Sequence, residues 1–170
     1  MSAHDERVVD ALALNAADLL AYFERRVDVP ADAADLVAET MMIAWRRSEQ
    51  IPAAPEHARM WLFVTARNVL ANATRAERRR WKLANRLRLL IEPRQQSSAD
   101  AGADVRDAVS RLDPQLAELI RLVHWDGFSL NEAAEILEIP ASTARGQHQR
   151  AKAALRTMLS EPADTESVSR

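Results

Sequence analysis

Cysteine is absent from this 170-residue chain, and glycine occurs only three times. The first absence excludes disulfides and thiolate metal sites. The second argues against a loop-rich β architecture and for an all-α chain. The four histidines, His4, His57, His124 and His148, are scattered and offer no pair at metal-ligand spacing. A glycine-rich phosphate loop and a nucleophile–base pairing are also missing, so no metal, cofactor or catalytic site is expected. No uninterrupted apolar run reaches the roughly 20 residues that span a bilayer. The N-terminus carries Asp5, Glu6 and Asp10 where a secretory signal would carry basic residues. The expectation is a soluble cytoplasmic protein without membrane insertion. Its 48% hydrophobic content is enough for one medium core or two small helical ones.

The net charge of -2 averages over a marked asymmetry. Residues 1–40 hold nine acidic groups against Arg7, Arg25 and Arg26. Residues 75–88 hold Arg75, Arg78, Arg79, Arg80, Lys82, Arg86 and Arg88 against Glu77 alone, and 145–156 hold Arg145, Arg150, Lys152 and Arg156 with no acid. Local basic surface, not net charge, governs attraction to phosphates. The acidic front is left for a different, basic partner.

Apolar residues recur at helical spacing throughout. Leu12, Ala16, Leu19, Leu20, Phe23 and Val27 form one stripe, ended near Pro30. Ala33, Leu36, Val37, Thr40, Ile43 and Ala44 form a second, with Asp32, Asp35 and Glu39 on its other side. Two prolines make 51–55 a loop. A third helix is expected from Glu56 towards Leu90, through Trp61, Leu62, Thr65, Val69 and Leu70, with room for a bend near 75–80. Trp45, Trp61 and Trp125 fall on apolar stripes and are expected in cores. Phe63 lies off its stripe and is free to stack on unpaired bases. Residues 92–104 lose periodicity and read as a flexible linker between two helical domains, 1–91 and 105–160, with 161–170 a polar tail.

The second domain carries the sharpest signal. Asp113-Pro114 opens a helix that stops at Asp126-Gly127, where glycine can take the left-handed conformation. Ser129 and Glu132 form a capping box, and Pro140 opens another helix. A short supporting helix, a tight turn and a helix presenting Arg and Gln outward suit the DNA major groove. Arg145 matches guanine, and Gln147 or Gln149 matches adenine, through bidentate pairs. Ser142, Thr143, Arg150 and Lys152 suit phosphate contacts. His148 falls on the Ala144–Ala151–Leu155 seam, as a half-buried structural histidine.

Taken together, these segments resemble a sigma factor of the extracytoplasmic-function (ECF) type, in the sigma-70 family. The first half is similar to sigma region two, through Asp35-Leu36-Val37-Ala38-Glu39, Ala44-Trp45-Arg46 and Trp61-Leu62-Phe63…Ala66-Arg67-Asn68. The second is similar to region four, through Leu112-Asp113-Pro114, Gly127 to Leu137, and Thr143-Ala144-Arg145…Arg150-Ala151-Lys152. Ala38 stands where the family commonly has Gln, and Glu138 where the turn often has Gly. Gly146-Gln147-His148 replaces a frequent Ser-Arg-Leu, and Gly146 should cost its helix roughly 1 kcal/mol against alanine.

The resemblance implies an alternative sigma factor that binds core RNA polymerase and promoter DNA and is held by an anti-sigma factor or other regulator. Asp32, Asp35 and Glu39 would meet the basic clamp helices of the polymerase's largest subunit. Phe63, Arg67, Asn68, Asn72 and Arg75, with Arg78 and Arg79 on the backbone, would hold the minus-ten element. Asn68 also reads as a buried polar group tying two helices together. Ser142, Thr143, Arg145, Gln147, Gln149, Arg150 and Lys152 would contact the minus-thirty-five element. The rival reading is a conventional helix-turn-helix regulator whose N-terminal half dimerises or senses a ligand.

Overall fold

The computed structural model describes the backbone of residues 3–87 and 103–160, and the side chains of 6–76 and 104–160. Among the described residues there are seven α-helices and no strand. The chain divides into two compact units, Met1–Pro93 and Arg94–Arg170. Most of the expected linker, 92–104, and the whole tail, 161–170, lie outside the described residues.

The first unit packs α1 (Ala3–Glu24), α2 (Pro30–Arg46) and α3 (Pro55–Leu87) against one another. Proline at 30 does not simply stop α1. The chain turns after Glu24, and Pro30 takes the first position of α2, where a missing N–H costs nothing. A 3-10 turn at Ser48–Gln50 follows α2, and the chain re-enters a helix at Pro55. α3 then continues without interruption through 75–80.

The core of this unit is aromatic. Leu19, Phe23, Leu62 and Phe63 are all fully buried, with Tyr22 beside them. The Tyr22 ring meets Phe23 edge-on at 5.2 Å and Phe63 edge-on at 5.4 Å, the arrangement favoured by ring quadrupoles. Arg26 lies over the Tyr22 ring, with its guanidinium 3.7 Å from the centroid. The hydroxyl of buried Thr40 donates to the Leu36 carbonyl at 2.7 Å, so this polar side chain enters the core already satisfied.

Two sequence expectations change here. Trp45 is 53% exposed, not in the core. The buried stripe of α2 is Ala33, Leu36, Thr40 and Ala44, and Trp45 follows Ala44 by one residue, which turns it about 100° away. Phe63 is the reverse case: it is completely buried, so it offers no face to a base. The buried stripe of α3 is Ala58, Leu62, Phe63, Ala66 and Val69, while Trp61 and Thr65 stand at its margin.

The second unit comprises α4 (Ala103–Ser110), α5 (Pro114–His124), α6 (Leu130–Ile136) and α7 (Ala141–Ser160). Val109, Leu112, Ala117, Ile120 and Ala151 form a core, with Leu116, Trp125 and Leu155 packed onto it. Asp113 caps α5 by accepting from the Gln115 N–H at 2.9 Å. Gly127, at φ 74, turns the chain out of α5 while the Phe128 N–H reaches back to the Leu122 carbonyl at 3.0 Å. The capping box of α6 closes in both directions. The Glu132 N–H donates to Ser129 Oγ at 3.2 Å, and the Ser129 N–H donates to Glu132 Oε2 at 2.7 Å.

Candidate nucleic-acid interface and acidic docking face

α6 and α7 form the helix-turn-helix. The turn between them is tight, with Glu138 in the left-handed region at φ 57 and the Ile139 N–H bonded to the Ala134 carbonyl at 3.0 Å. α7 is anchored through buried Ala144, Gln147 and Ala151, at i, i+3 and i+7. Ser142, Thr143, Arg145, Gln149, Arg150 and Lys152 are all exposed. The outward part of the helix is therefore cationic and amide-bearing, and carries no carboxylate. Such a surface can bind phosphates through its flanks and base edges through its centre.

Gln147 corrects the sequence expectation. It is only 9% exposed, and its Nε2 donates to Gln115 Oε1 at 3.5 Å. Its own Oε1 is buried with no hydrogen-bond partner. In this conformation it ties α7 to the start of α5 and does not face a groove. It stands three residues after Ala144 and four before Ala151, so the turn of the helix that buries those alanines also carries Gln147 inward, against the outward position expected from the sequence.

His148 is half-buried, as its seam position implied, but it has a companion that the sequence did not suggest. His124, at the end of α5, brings its Nε2 to 3.2 Å from His148 Nε2, with ring planes 14° apart. One ring must donate and the other accept, so the contact needs at least one neutral imidazole. Burial lowers the His148 pKa, and repulsion from His124 and Lys152 lowers it further. A histidine with a depressed folded pKa contributes stability above its unfolded value of about 6.5. That contribution is lost as pH falls through the folded pKa. Thermal melting of the second unit should therefore drop as the pH is taken down from 6.5, and His148→Leu should flatten this dependence. A melting temperature equally pH-dependent in the variant would refute the assignment.

In the first unit, Asp32, Asp35 and Glu39 are exposed on one side of α2. With Arg26, Asp28 and Thr74 they border a surface groove of about 560 Å³ between α2 and α3. Met42 and Trp45, each 53% exposed, continue the exposed surface of α2 towards its C-terminus. Acidic groups beside uncovered apolar side chains make a surface suited to a basic protein partner.

On α3, Asn68, Asn72 and Arg75 are exposed at i, i+4 and i+7, and Arg67 beside them is half-buried. Asn68 is thus not the buried tie that was one reading of the sequence. The side chains of Arg78 and Arg79 lie outside the described residues, although their backbone belongs to α3. Among the described residues no group of three or more His, Asp or Glu side chains is arranged to hold a metal ion. No described helix is long and apolar enough to cross a membrane.

Comparison with known proteins matches this division of the chain. Residues 12–80 match sigma-70 region 2, and residues 103–155 match sigma-70 region 4. The chain is 30% identical over 152 residues to the ECF RNA polymerase sigma factor SigL of Mycobacterium tuberculosis, covering 86% of this chain and 85% of that protein. It is 30% identical over 122 residues to the ECF sigma factor BldN of Streptomyces coelicolor, covering 68% of this chain and 46% of that one. Among solved structures, the sigma factor RpoE of Bartonella quintana, crystallised with the anti-sigma factor NepR, superimposes with a TM-score of 0.67. At 24% identity, covering 92% of this chain and 96% of that one, it is a likeness of fold.

Proposed function

The chain belongs to the ECF group of the sigma-70 family, alternative sigma factors that direct transcription, and from that premise we propose how its two units divide the work. The second unit, 105–160, lays α7 in the major groove of the minus-thirty-five element. Arg145 and Gln149 read base edges there, and Ser142, Thr143, Arg150 and Lys152 hold phosphates. Gln147 acts from within, as a tie between α7 and α5. The first unit, 1–91, docks on core RNA polymerase through Asp32, Asp35 and Glu39. The Asn68–Asn72–Arg75 side of α3, with Arg67 beside it and Arg78 and Arg79 further along, follows the opened minus-ten strand. Cationic and amide groups along a single strand hold its backbone without reading every base.

The observation that supports this reading most directly is the outward surface of α7. It gathers Arg145, Gln149, Arg150 and Lys152 in one exposed group, on a helix whose opposite side is anchored by Ala144 and Ala151. The protein contributes no catalytic chemistry, works in the cytoplasm beside the polymerase, and takes an anti-sigma protein as its regulator.

In vitro transcription tests the proposal. Core polymerase with this chain should initiate at discrete promoters that core alone ignores, and absence of polymerase binding would reject the reading. Arg145→Ala should relax preference at one base pair of the upstream element, by roughly 1–3 kcal/mol of discrimination, while polymerase affinity is unchanged. Equal loss on every promoter variant would assign Arg145 to phosphate contact instead.

A further inference from the structure

His124 and His148 stand 24 residues apart in the sequence, and the packing of α5 against α7 brings their imidazoles together. His124 is the last residue of α5 and is exposed, while His148 is half-buried within α7. The two Nε2 atoms lie 3.2 Å apart, with ring centroids at 5.4 Å and ring planes 14° apart. Among the described residues neither ring has another hydrogen-bond partner, so each Nε2 is engaged only by the other. A hydrogen bond between them needs Nε2–H on one ring and a bare Nε2 on the other, and 3.2 Å is at the long end of the range for an N–H donor. A metal ion uses both lone pairs at once. Zinc–nitrogen bonds of about 2.0–2.1 Å at a tetrahedral angle set two nitrogen ligands about 3.3–3.4 Å apart. A small rotation of the exposed His124 ring closes the difference.

We propose that His124 and His148 form a binding site for one zinc-class divalent ion, which clamps the end of α5 to α7. Imidazole nitrogen suits zinc, copper and nickel, and this cysteine-free chain offers no thiolate to compete for them. Among the described residues no third His, Asp or Glu joins the pair, so water completes the coordination sphere. The ring that carries its proton on Nε2 moves it to Nδ1 through solvent, and a neutral pair therefore takes the ion with no net proton released. Burial, with repulsion from His124 and Lys152, keeps His148 in the neutral form that a metal requires. Lys152, one turn after His148, opposes the ion by the same repulsion, and Arg156 borders the groove that His124 and Lys152 share. Removing the Lys152 charge should therefore strengthen the site.

This inference stands whether or not α7 enters a DNA groove, because ion binding is measured on the chain alone. Calorimetric titration of the metal-stripped full chain with zinc chloride, above the ordinary imidazole pKa of about 6.5, tests it. One ion should bind at this pair and raise the melting temperature of the second unit, since only the folded state brings the rings together. His124→Gln and His148→Gln should each weaken binding at least about tenfold, the loss that even an outer-shell change causes at a metal site. Lys152→Gln should tighten it, and His4→Gln and His57→Gln should leave it unchanged. Magnesium should not compete, because it takes oxygen ligands. Circular dichroism separates loss of a ligand from loss of fold in the His148 variant, and exposed His124 gives an independent reading. No saturable zinc binding, or an affinity unchanged in both variants of the pair, would mean that the rings share a hydrogen bond and nothing more. Loss in one variant of the pair without loss in the other, or loss only in the His4 or His57 variant, would overturn the proposal equally.

Discussion

Replacing Asp35 and Glu39 together by lysine should abolish assembly with core polymerase, with affinity falling about 100-fold or more. Both residues are exposed on α2 and border the groove against α3. Reversing their sign would set like charges against a basic partner, and like-charge juxtaposition across an interface costs several kcal/mol. The fold should be indifferent. Asp32 is the acidic residue in the first turn of α2, where the helix dipole favours it, whereas Asp35 and Glu39 lie further along. Circular dichroism and thermal melting should therefore match the parent protein. Binding to core polymerase, measured across ionic strengths, should recover part of the loss at high salt, where exposed charges are screened. An affinity equal to the parent at low salt would remove α2 from the docking surface.

The second large effect is one of stability. Phe63→Ala should destabilise the first unit by about 3–5 kcal/mol, the usual cost of deleting a buried aromatic ring. Phe63 is fully buried, meets Tyr22 at 5.4 Å, and has the Arg59 guanidinium 4.9 Å from its own centroid. The cavity left between α1 and α3 would also strip Tyr22 of one of its two edge-on partners, leaving Phe23. Thermal or urea denaturation measures this directly. The expectation raised by the sequence, in which Phe63 stacks on unpaired bases, demands the opposite outcome: unchanged melting and impaired promoter opening. Phe63→Leu, which keeps most of the volume, should lie between parent and alanine variant.

Local chemistry made much of this molecule legible in advance. The cap at Asp113, the stop at Gly127 and the Ser129–Glu132 box each depend on residues within a few positions of one another, and all three occur as their spacing implied. The exposed acidic side of α2 follows from the same periodicity. What escaped is what depends on a single step around a helix or on two distant helices. Phe63 and Trp45 each stand one residue from a neighbour that was placed correctly, and one residue is more than a quarter-turn. Gln147 is expected on an outward face of α7, yet it shares the buried side with Ala144 and Ala151. The approach of His124 to His148 joins the end of α5 to the middle of α7, and no short-range pattern encodes it.

Glu138 carries a consequence for how the second unit is tuned. A left-handed glutamate, at φ 57, costs about 1 kcal/mol that glycine at the same place would not. A few residues on, Gly146 occupies a position that would favour any other helix former. Between them, side chain and bare backbone are distributed against local preference, so the turn before α7 and the early part of α7 itself hold an unused reserve of stability. Directed evolution for thermal tolerance should find that reserve at residue 138 before it touches any core position.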